Sequence, residues 1–263
     1  LGAHQEVVET ANSHGAKTAV LKEDGKAIAI KNDTNETKVI YDDGGQPKSI
    51  EPFAGAELRK EEGGWSLYYS DKLMQKEAYS DIKILPDGTM ITEGKSHIDG
   101  AHVKTIEKPD GSALTSKNDL LTKIVDATGH EITIKRDKND QPSELKLSAG
   151  ADLVKTNDGW NIVVDGQQTK YCQEITIDSN GTVHHINEIG AISSNHLDGS
   201  TTRYLPGDSV APIDYHKELA TFEQHLAAIK DPMAAAYIRD GMLDTHDRLR
   251  KDPATAESKI AEL

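Results

Sequence analysis

The chain has few aromatic and apolar residues. Aromatic side chains make up 5% and hydrophobic side chains 36% of its 263 residues. This length is sufficient for a buried core and about two structural units. With so few large apolar side chains, however, that core must be thin. We therefore expect an elongated fold with much surface per residue.

Cysteine and long apolar runs are also scarce. Cys172 is the single cysteine, so an internal disulfide is excluded. It lies in the alternating segment 170–175, which predicts burial in a strand rather than a nucleophilic role. The sequence has no run of about 18 apolar residues, so we expect no membrane span.

Basic residues are outnumbered by acidic ones. Lys and Arg total 30 against 44 for Asp and Glu, which gives a net charge of −14. Such a surface repels phosphate groups and anionic lipids. Nucleic acid is therefore excluded as a partner class.

The strongest positive feature of the sequence is an internal duplication. Three segments recur at one offset of 95 residues (141 − 46): Gln46-Pro47 as Gln141-Pro142, Ala54-Gly55-Ala56 as Ala149-Gly150-Ala151, and Gly64-Trp65 as Gly159-Trp160. His97-Ile98-Asp99-Gly100 recurs as His196-Leu197-Asp198-Gly199 at an offset of 99 (196 − 97). Fixed-period similarity of this kind indicates a repeat architecture.

Short alternating runs separated by Asx-Gly pairs fill the middle of the chain. Asx-Gly supplies the positive φ angles of hairpin turns. The pattern predicts a mainly β, internally duplicated antiparallel meander, extended or solenoid-like, with about 14 to 18 strands. We place one β repeat unit at 16–112 and a second at 113–209.

Helices are predicted at both ends. Residues 1–15 read as an N-terminal helix with Val7, Val8 and Ala11 on it and Gly15 at its end. Residues 210–263 read as a C-terminal helical segment, because an apolar stripe at helical spacing begins at Tyr215. The pattern is still apolar at Leu263, so we expect the natural protein to continue.

One segment carries a family resemblance. Tyr41-Asp42-Asp43-Gly44-Gly45-Gln46-Pro47, followed by Ile50, resembles the YD repeat of Rhs-type bacterial proteins. Gln46 stands where that family usually has Arg, and the second copy, Arg136-Asp137-Lys138-Asn139-Asp140, lacks both Tyr and Gly. The resemblance implies spiralling sheets that serve as shells or surface scaffolds of a secreted bacterial protein.

The two tryptophans are the first candidate binding residues. Trp65 and Trp160 each follow a Gly and precede an alternating run. Exposed indoles one repeat apart would stack on sugars and raise avidity for a polysaccharide. The alternative is burial, which we favour because a chain poor in aromatics needs each large ring in its core.

The duplicated histidine–aspartate segments are the second candidate. His97 with Asp99, and His196 with Asp198, would share one face of a strand and could orient a general base or bind a ligand. A hairpin turn explains Asp-Gly more simply. Because no third ligand is defined by spacing, we predict no metal site and no cofactor.

Three functions follow from these observations. The first is a non-catalytic structural or surface-display module of a larger bacterial protein, extracellular or on the cell surface. The second is a carbohydrate-binding or adhesive module, whose partner is a polysaccharide or another protein domain. The third is a hydrolase with a His/carboxylate site where the helical segment meets the sheet.

Overall fold

The described part of the chain is a meander of antiparallel strands. A computed structural model describes residues 4–11, 15, 17–32, 35–204 and 213–214. These residues form 23 strands in three sheets, and within each sheet every strand pairs with its neighbours in sequence. The prediction of a mainly β antiparallel meander is therefore confirmed.

The first sheet contains eight strands in chain order. They are β1 Gln5–Ala11, β2 Lys17–Glu23, β3 Lys26–Asn32, β4 Glu36–Tyr41, β5 Pro47–Phe53, β6 Ala56–Glu61, β7 Gly64–Tyr69 and β8 Lys72–Tyr79.

The second sheet contains ten strands and the third contains five. The second holds β9 Asp81–Ile84, β10 Met90–Lys95, β11 His102–Glu107, β12 Ala113–Lys117, β13 Leu120–Val125, β14 Glu131–Arg136, β15 Pro142–Leu147, β16 Asp152–Thr156, β17 Gly159–Val164 and β18 Gln167–Cys172. The third holds β19 Glu174–Ile177, β20 Val183–Ile186, β21 Ile192–Asn195, β22 Thr201–Tyr204 and β23 Ile213–Asp214.

One turn geometry recurs along the meander. Nine five-residue turns of the described residues share two backbone hydrogen bonds. The N–H of the fourth residue donates to the carbonyl of the first residue, and the N–H of the first residue donates to the carbonyl of the fifth. These turns are 42–46, 85–89, 108–112, 126–130, 137–141, 147–151, 178–182, 187–191 and 196–200. The fourth residue has positive φ in all nine and is Gly in all but Asp140. This is a type I turn closed by a left-handed residue, a common three-residue hairpin loop.

The N-terminal helix prediction is wrong. Gln5–Ala11 is strand β1, which pairs antiparallel with β2 along its whole length. A helix this short is marginal in water, whereas an adjacent strand satisfies its backbone groups directly. The β-branched Val7, Val8 and Thr10 favour the same outcome.

The predicted C-terminal helical segment, 210–263, lies outside the described residues except for Ile213–Asp214, which form β23. The unit boundary at 112/113 falls just before β12, inside the second sheet. The domain boundaries stay a prediction.

The core follows one face of each sheet. In the first sheet, Val39, Ile50, Leu58 and Trp65 are buried on adjacent strands and pack with Ile82 of the next sheet. A second cluster runs through the second sheet and ends on the third; it includes Leu145, Leu153, Trp160, Ile175 and Val183. Alternate residues on these strands face solvent, so the core is a thin strip, as the composition predicts.

The chain turns a corner between sheets in the same way twice. After β8, Ser80 N donates to Glu93 O (2.7 Å), and after β18, Gln173 N donates to Ile186 O (2.7 Å). The hairpin that follows each corner has the same register, since Asp81 pairs with Glu93 and Glu174 pairs with Ile186. The two corners are thus structural equivalents.

Each corner hairpin folds back over the sheet that the chain has just left. A Cβ on Gly88 would lie 3.1 Å from Val20 Cγ2 and 3.3 Å from Ile30 Cγ1, on β2 and β3. A Cβ on Gly181 would lie 2.5 Å from Leu114 Cδ2, on β12. The two glycines permit the same close layer contact in both units.

Glycine is also required where each tryptophan strand begins. Gly64 has a φ of 140° and Gly159 a φ of 120°. A Cβ would lie 2.5 Å from Tyr79 O at Gly64 and 2.6 Å from Cys172 O at Gly159. The recurring Gly-Trp pair therefore combines a backbone that only glycine tolerates with the largest buried side chain.

We expect Gly159→Ala to destabilise the fold by about 3 kcal/mol or more, since it adds a backbone clash to an unfavourable φ. Gly150→Ala is the matched control. Gly150 has a φ of 84° with no atom within 4 Å of a Cβ, so the change should cost only about 1–2 kcal/mol. Urea unfolding measures both, and equal losses would contradict the close approach at the corner.

Candidate functional site

The two tryptophans lie in the core. Each is 1% exposed, with Trp65 opposite Tyr79 and Trp160 opposite Cys172 on the neighbouring strand. A sugar can stack only on an exposed ring face, and neither indole provides one. Both residues instead stabilise the corners where the chain leaves one sheet for the next.

The fluorescence of both indoles should be blue-shifted, shielded from acrylamide and unchanged by soluble polysaccharides, because neither ring is exposed. Trp65→Phe and Trp160→Phe variants separate the two signals. Red-shifted emission that moves on adding one glycan would contradict the burial and restore the stacking hypothesis.

His97 and Asp99 lie in the turn between β10 and β11 and have different partners. Gln75 Nε2 donates to His97 Nε2 (2.6 Å). Asp99 forms an ion pair with Lys117, and the hydrogen bond from Lys117 lowers the pKa of Asp99 to about 2. His97 and Asp99 therefore fix the turn to β8 and β12, the strands of Gln75 and Lys117.

His196 and Asp198 lie in a different hairpin, between β21 and β22. His196 Nε2 lies 2.8 Å from Thr202 Oγ1, and Asp198 Oδ1 accepts from Ser200 N (2.9 Å) and Oγ (2.6 Å). The His97 turn follows β10, and β10 is the structural equivalent of β20. The counterpart of the His97 turn is therefore turn 187–191, which follows β20. The recurrence of His-x-Asp-Gly reflects shared turn chemistry at two different places.

Register brings together a Ser–His–Asp relay that sequence spacing did not reveal. His184 Nδ1 lies 2.7 Å from Ser194 Oγ, and His184 Nε2 lies 3.0 Å from Asp178 Oδ2. These are the contacts that activate a serine nucleophile. However, Ser194 is 2% exposed, so a substrate carbonyl has no access to Oγ. The relay connects β20 and β21 to the turn that follows β19.

His185 points to the opposite face of the sheet and is partly buried. Asn195 Nδ2 donates to His185 Nε2 (3.1 Å), and the ring meets Tyr171 edge-on at 5.3 Å. Nδ1 is buried with no hydrogen-bond partner in the described residues. Burial lowers the pKa of His185 to about 4 from its usual 6.5.

The partly buried His185 should make the fold acid-sensitive. Its folded pKa is below its unfolded pKa, so the unfolded state binds the proton first as the pH falls. Stability should therefore be lost between pH 6.5 and about 4, by up to about 3 kcal/mol.

Urea midpoints at several pH values test this expectation. A His185→Phe variant keeps an aromatic ring against Tyr171 and should lose less stability on acidification than the natural sequence. A His97→Phe variant on an exposed turn is the control, since carboxylates also titrate in this range. Parallel pH profiles for the natural and His185→Phe chains would contradict the assignment.

A more elaborate polar arrangement covers the outer face of the first sheet, opposite the core. Cross-strand register aligns Ile40, Ser49, Arg59 and Ser66 in one row. A second row aligns Glu57, Tyr68 and Leu73. We call the region formed by Ile40, Ser49, Glu57, Arg59, Glu61, Ser66, Tyr68, Asp71 and Leu73 the Arg59 face.

Arg59 is at the centre of this region. Its guanidinium carbon lies 4.4 Å from the centroid of the Tyr68 ring. Arg59 Nε donates to Glu57 Oε2 (2.7 Å), and its terminal nitrogen NH2 donates to Asp71 Oδ1 (2.6 Å). Such a stacked, forked guanidinium is held in one orientation.

Two glutamates are fixed beside the stack. Glu57 accepts from Ser49 Oγ (2.6 Å), while Glu61 accepts from Ser66 Oγ (2.7 Å) and Tyr68 Oη (2.5 Å). The hydrogen bond from Arg59 lowers the pKa of Glu57, and that from Tyr68 lowers the pKa of Glu61. Both carboxylates are therefore charged and ordered at neutral pH.

The second copy lacks this arrangement. At the offset of 95, buried positions keep their character: Val39, Ile50, Leu58 and Trp65 correspond to Ile134, Leu145, Leu153 and Trp160. Most outer positions change: Ser49, Arg59, Glu61, Ser66 and Tyr68 correspond to Glu144, Val154, Thr156, Asn161 and Val163, whereas Glu57 corresponds to Asp152 and keeps a carboxylate. That face instead carries a cross-strand ladder in which Lys135 pairs with Glu144 (2.8 Å). The two copies share a core and differ in what they present to solvent.

The described residues do not meet the requirements of a metal site, a reactive cysteine or a membrane-spanning helix. Within them, no group of three or more His, Cys, Asp and Glu side chains is arranged to hold a metal ion. Cys172 is buried, and its thiol donates to Glu174 O (3.5 Å). No helix among the same residues is long and apolar enough to cross a membrane. The predicted junction of helices and sheet lies outside the described residues.

Comparison with known proteins gives little similarity. No family model matches the chain, and no curated protein matches it. Among solved structures, the wild-type TCP10 domain of Danio rerio CPAP aligns at 15% identity with a TM-score of 0.19, covering 79% of this chain and 99% of that one. A point mutant of the same domain aligns at 13% identity with a TM-score of 0.22 and the same coverage. Scores this low do not establish a common fold.

Proposed function

We propose that the chain is a non-catalytic structural β-repeat module that displays its surfaces as part of a larger secreted or surface-exposed bacterial protein. The observation that carries the proposal is the corner built twice, with Gly64-Trp65 at one and Gly159-Trp160 at the other. A unit that joins the next sheet by the same corner can be repeated along an extended, solenoid-like body.

The distribution of buried residues supports a scaffold. Each sheet buries one strip of side chains and leaves a long polar face toward solvent. Cross-strand ion pairs such as Lys123–Glu131 (2.7 Å) and Lys135–Glu144 (2.8 Å) occupy that surface. These half-exposed pairs contribute little stability and suit a surface that stays in water.

The residues that resemble a YD repeat have structural roles consistent with a scaffold. Tyr41 Oη donates to Ala27 O (2.8 Å), and Asp42 Oδ1 accepts from Gln46 N (2.8 Å) inside the turn. In the second copy, Arg136 stands for Tyr41 and donates from NH2 to Leu121 O (3.0 Å). Ala27 and Leu121 are each the second residue of the preceding strand, β3 or β13. Tyr41 and Arg136 therefore make the same hydrogen bond across their hairpins with different side chains.

Hydrogen exchange of corner variants tests the scaffold. Replacing a buried Trp by Ala typically costs about 3–5 kcal/mol. In a body that interacts only with sequence neighbours, Trp160→Ala should raise exchange in β16–β22 and leave β2–β6 protected. Trp65→Ala should raise exchange in β2–β6 and leave β16–β22 protected. Val163→Ala, on the outer face of the Trp160 strand, is the control and should change little.

Loss of protection throughout the chain in both tryptophan variants would contradict a repeat scaffold and indicate one cooperative globule. A soluble polysaccharide that raised protection on one face would favour the carbohydrate-binding alternative. Hydrolysis abolished by one substitution that leaves exchange unchanged would favour an enzyme.

A further inference from the structure

We propose that the Arg59 face is a docking surface for a basic region of a partner protein. Its centre is the stacked pair of Arg59 and Tyr68, the residue types that most often dominate protein interfaces. Exposed apolar side chains lie in the same two rows, since Ile40 is 49% and Leu73 52% exposed. Aromatic, guanidinium and apolar groups in one flat area are the composition of an interface centre.

The difference between the copies separates this face from an ordinary solvated surface. Folding needs the core positions, and these are alike in both copies. The second copy folds with Val154 and Val163 where the first has Arg59 and Tyr68. The sheet therefore does not require the stack, and the hydrogen bonds around it fix side chains in a presentable orientation.

Order of this kind reduces the entropy cost of binding. Arg and Glu side chains usually lose rotamer freedom when a partner immobilises them. Here Ser49 and Ser66, which are 7% and 0% exposed, anchor Glu57 and Glu61 from below. The outer carboxylate oxygens keep lone pairs for a further donor.

Charge identifies the occupant. Arg59 is the one guanidinium among the carboxylates of Glu57, Glu61 and Asp71, so the Arg59 face has a surplus of negative charge. Two lysines lie at its border, but each has an acidic neighbour outside the face. Lys76, which acts on Glu61, pairs with Glu77 (3.8 Å), and Lys38 lies directly opposite Glu51. A partner presenting Arg or Lys complements the surplus. A second copy of this chain, with a net charge of −14, does not.

This inference adds a binding surface to the proposed scaffold. The probe is a fluorescent synthetic peptide of arginine and leucine, titrated by anisotropy at roughly physiological ionic strength so that distant charges are screened. The full chain should bind it. Glu57→Gln with Glu61→Gln should weaken binding by about tenfold, equivalent to about 1.4 kcal/mol.

The duplication supplies a matched control. Glu144→Gln with Asp152→Asn removes two carboxylates from the corresponding outer face of the second copy and should change the Kd by less than about twofold. Arg59→Val with Tyr68→Val installs the residues of the second copy and should also weaken binding. Circular dichroism verifies folding, and the Gln pair serves alone if the Val pair does not fold.

Two outcomes would overturn the docking surface. One is no binding of the peptide, including the case in which a neutral polysaccharide binds in a way that depends on Arg59. The other is equal weakening by both carboxylate pairs. The exchange experiment on the corner variants is independent of both, so the scaffold and the docking surface can fail separately.

Discussion

Left-handed backbone at the fourth residue of a hairpin loop is the constraint on which the rest of the structure depends. Nine turns in the described residues close with the same two backbone hydrogen bonds, and each needs positive φ at that residue. Because loop length fixes strand register, it also fixes which side chains face the core. A thin core tolerates no register slip, since a shift of one residue would place Ile50 or Leu145 in water. Turn chemistry thus compensates for a shortage of apolar residues.

In the described residues, the corners add long-range contacts to this local architecture. A meander alone gives a single flat sheet with two solvated faces, which cannot bury enough apolar surface. Gly-Trp allows the backbone of the next strand to approach closely, and the indole fills the space beneath. The following hairpin then covers the previous sheet, so Ile82 and Ile175 complete cores that begin in earlier strands. Trp65 and Trp160 recur for this reason.

The sequence predicted what local chemistry determines and missed what pairing determines. Asx-Gly pairs and alternation indicated the antiparallel meander, and the duplicated Gly-Trp marked equivalent places. Strand β8 is too polar to show alternation, and β1 was predicted as a helix, so both were missing from the expected number of strands. The sequence of β1 predicts a helix, and the pairing with β2 makes it a strand. No spacing rule places Ser194 beside His184, since only register joins them.

The Arg59 face is also assembled by strand pairing, so the sequence did not predict it. A comparison of the two copies indicates how such a region can be recognised. Nothing in the segments around Arg59 or Tyr68 resembles a motif, whereas Trp65 and His97 stand out because they recur in the second copy. Residues that recur between copies are those that the shared fold requires, whereas residues free to differ lie on the solvent side. In an internally duplicated chain, the functional signal is therefore expected among outer positions that do not match. Arg59 and Tyr68, which correspond to Val154 and Val163 in the second copy, are two such positions, and they are in contact with each other.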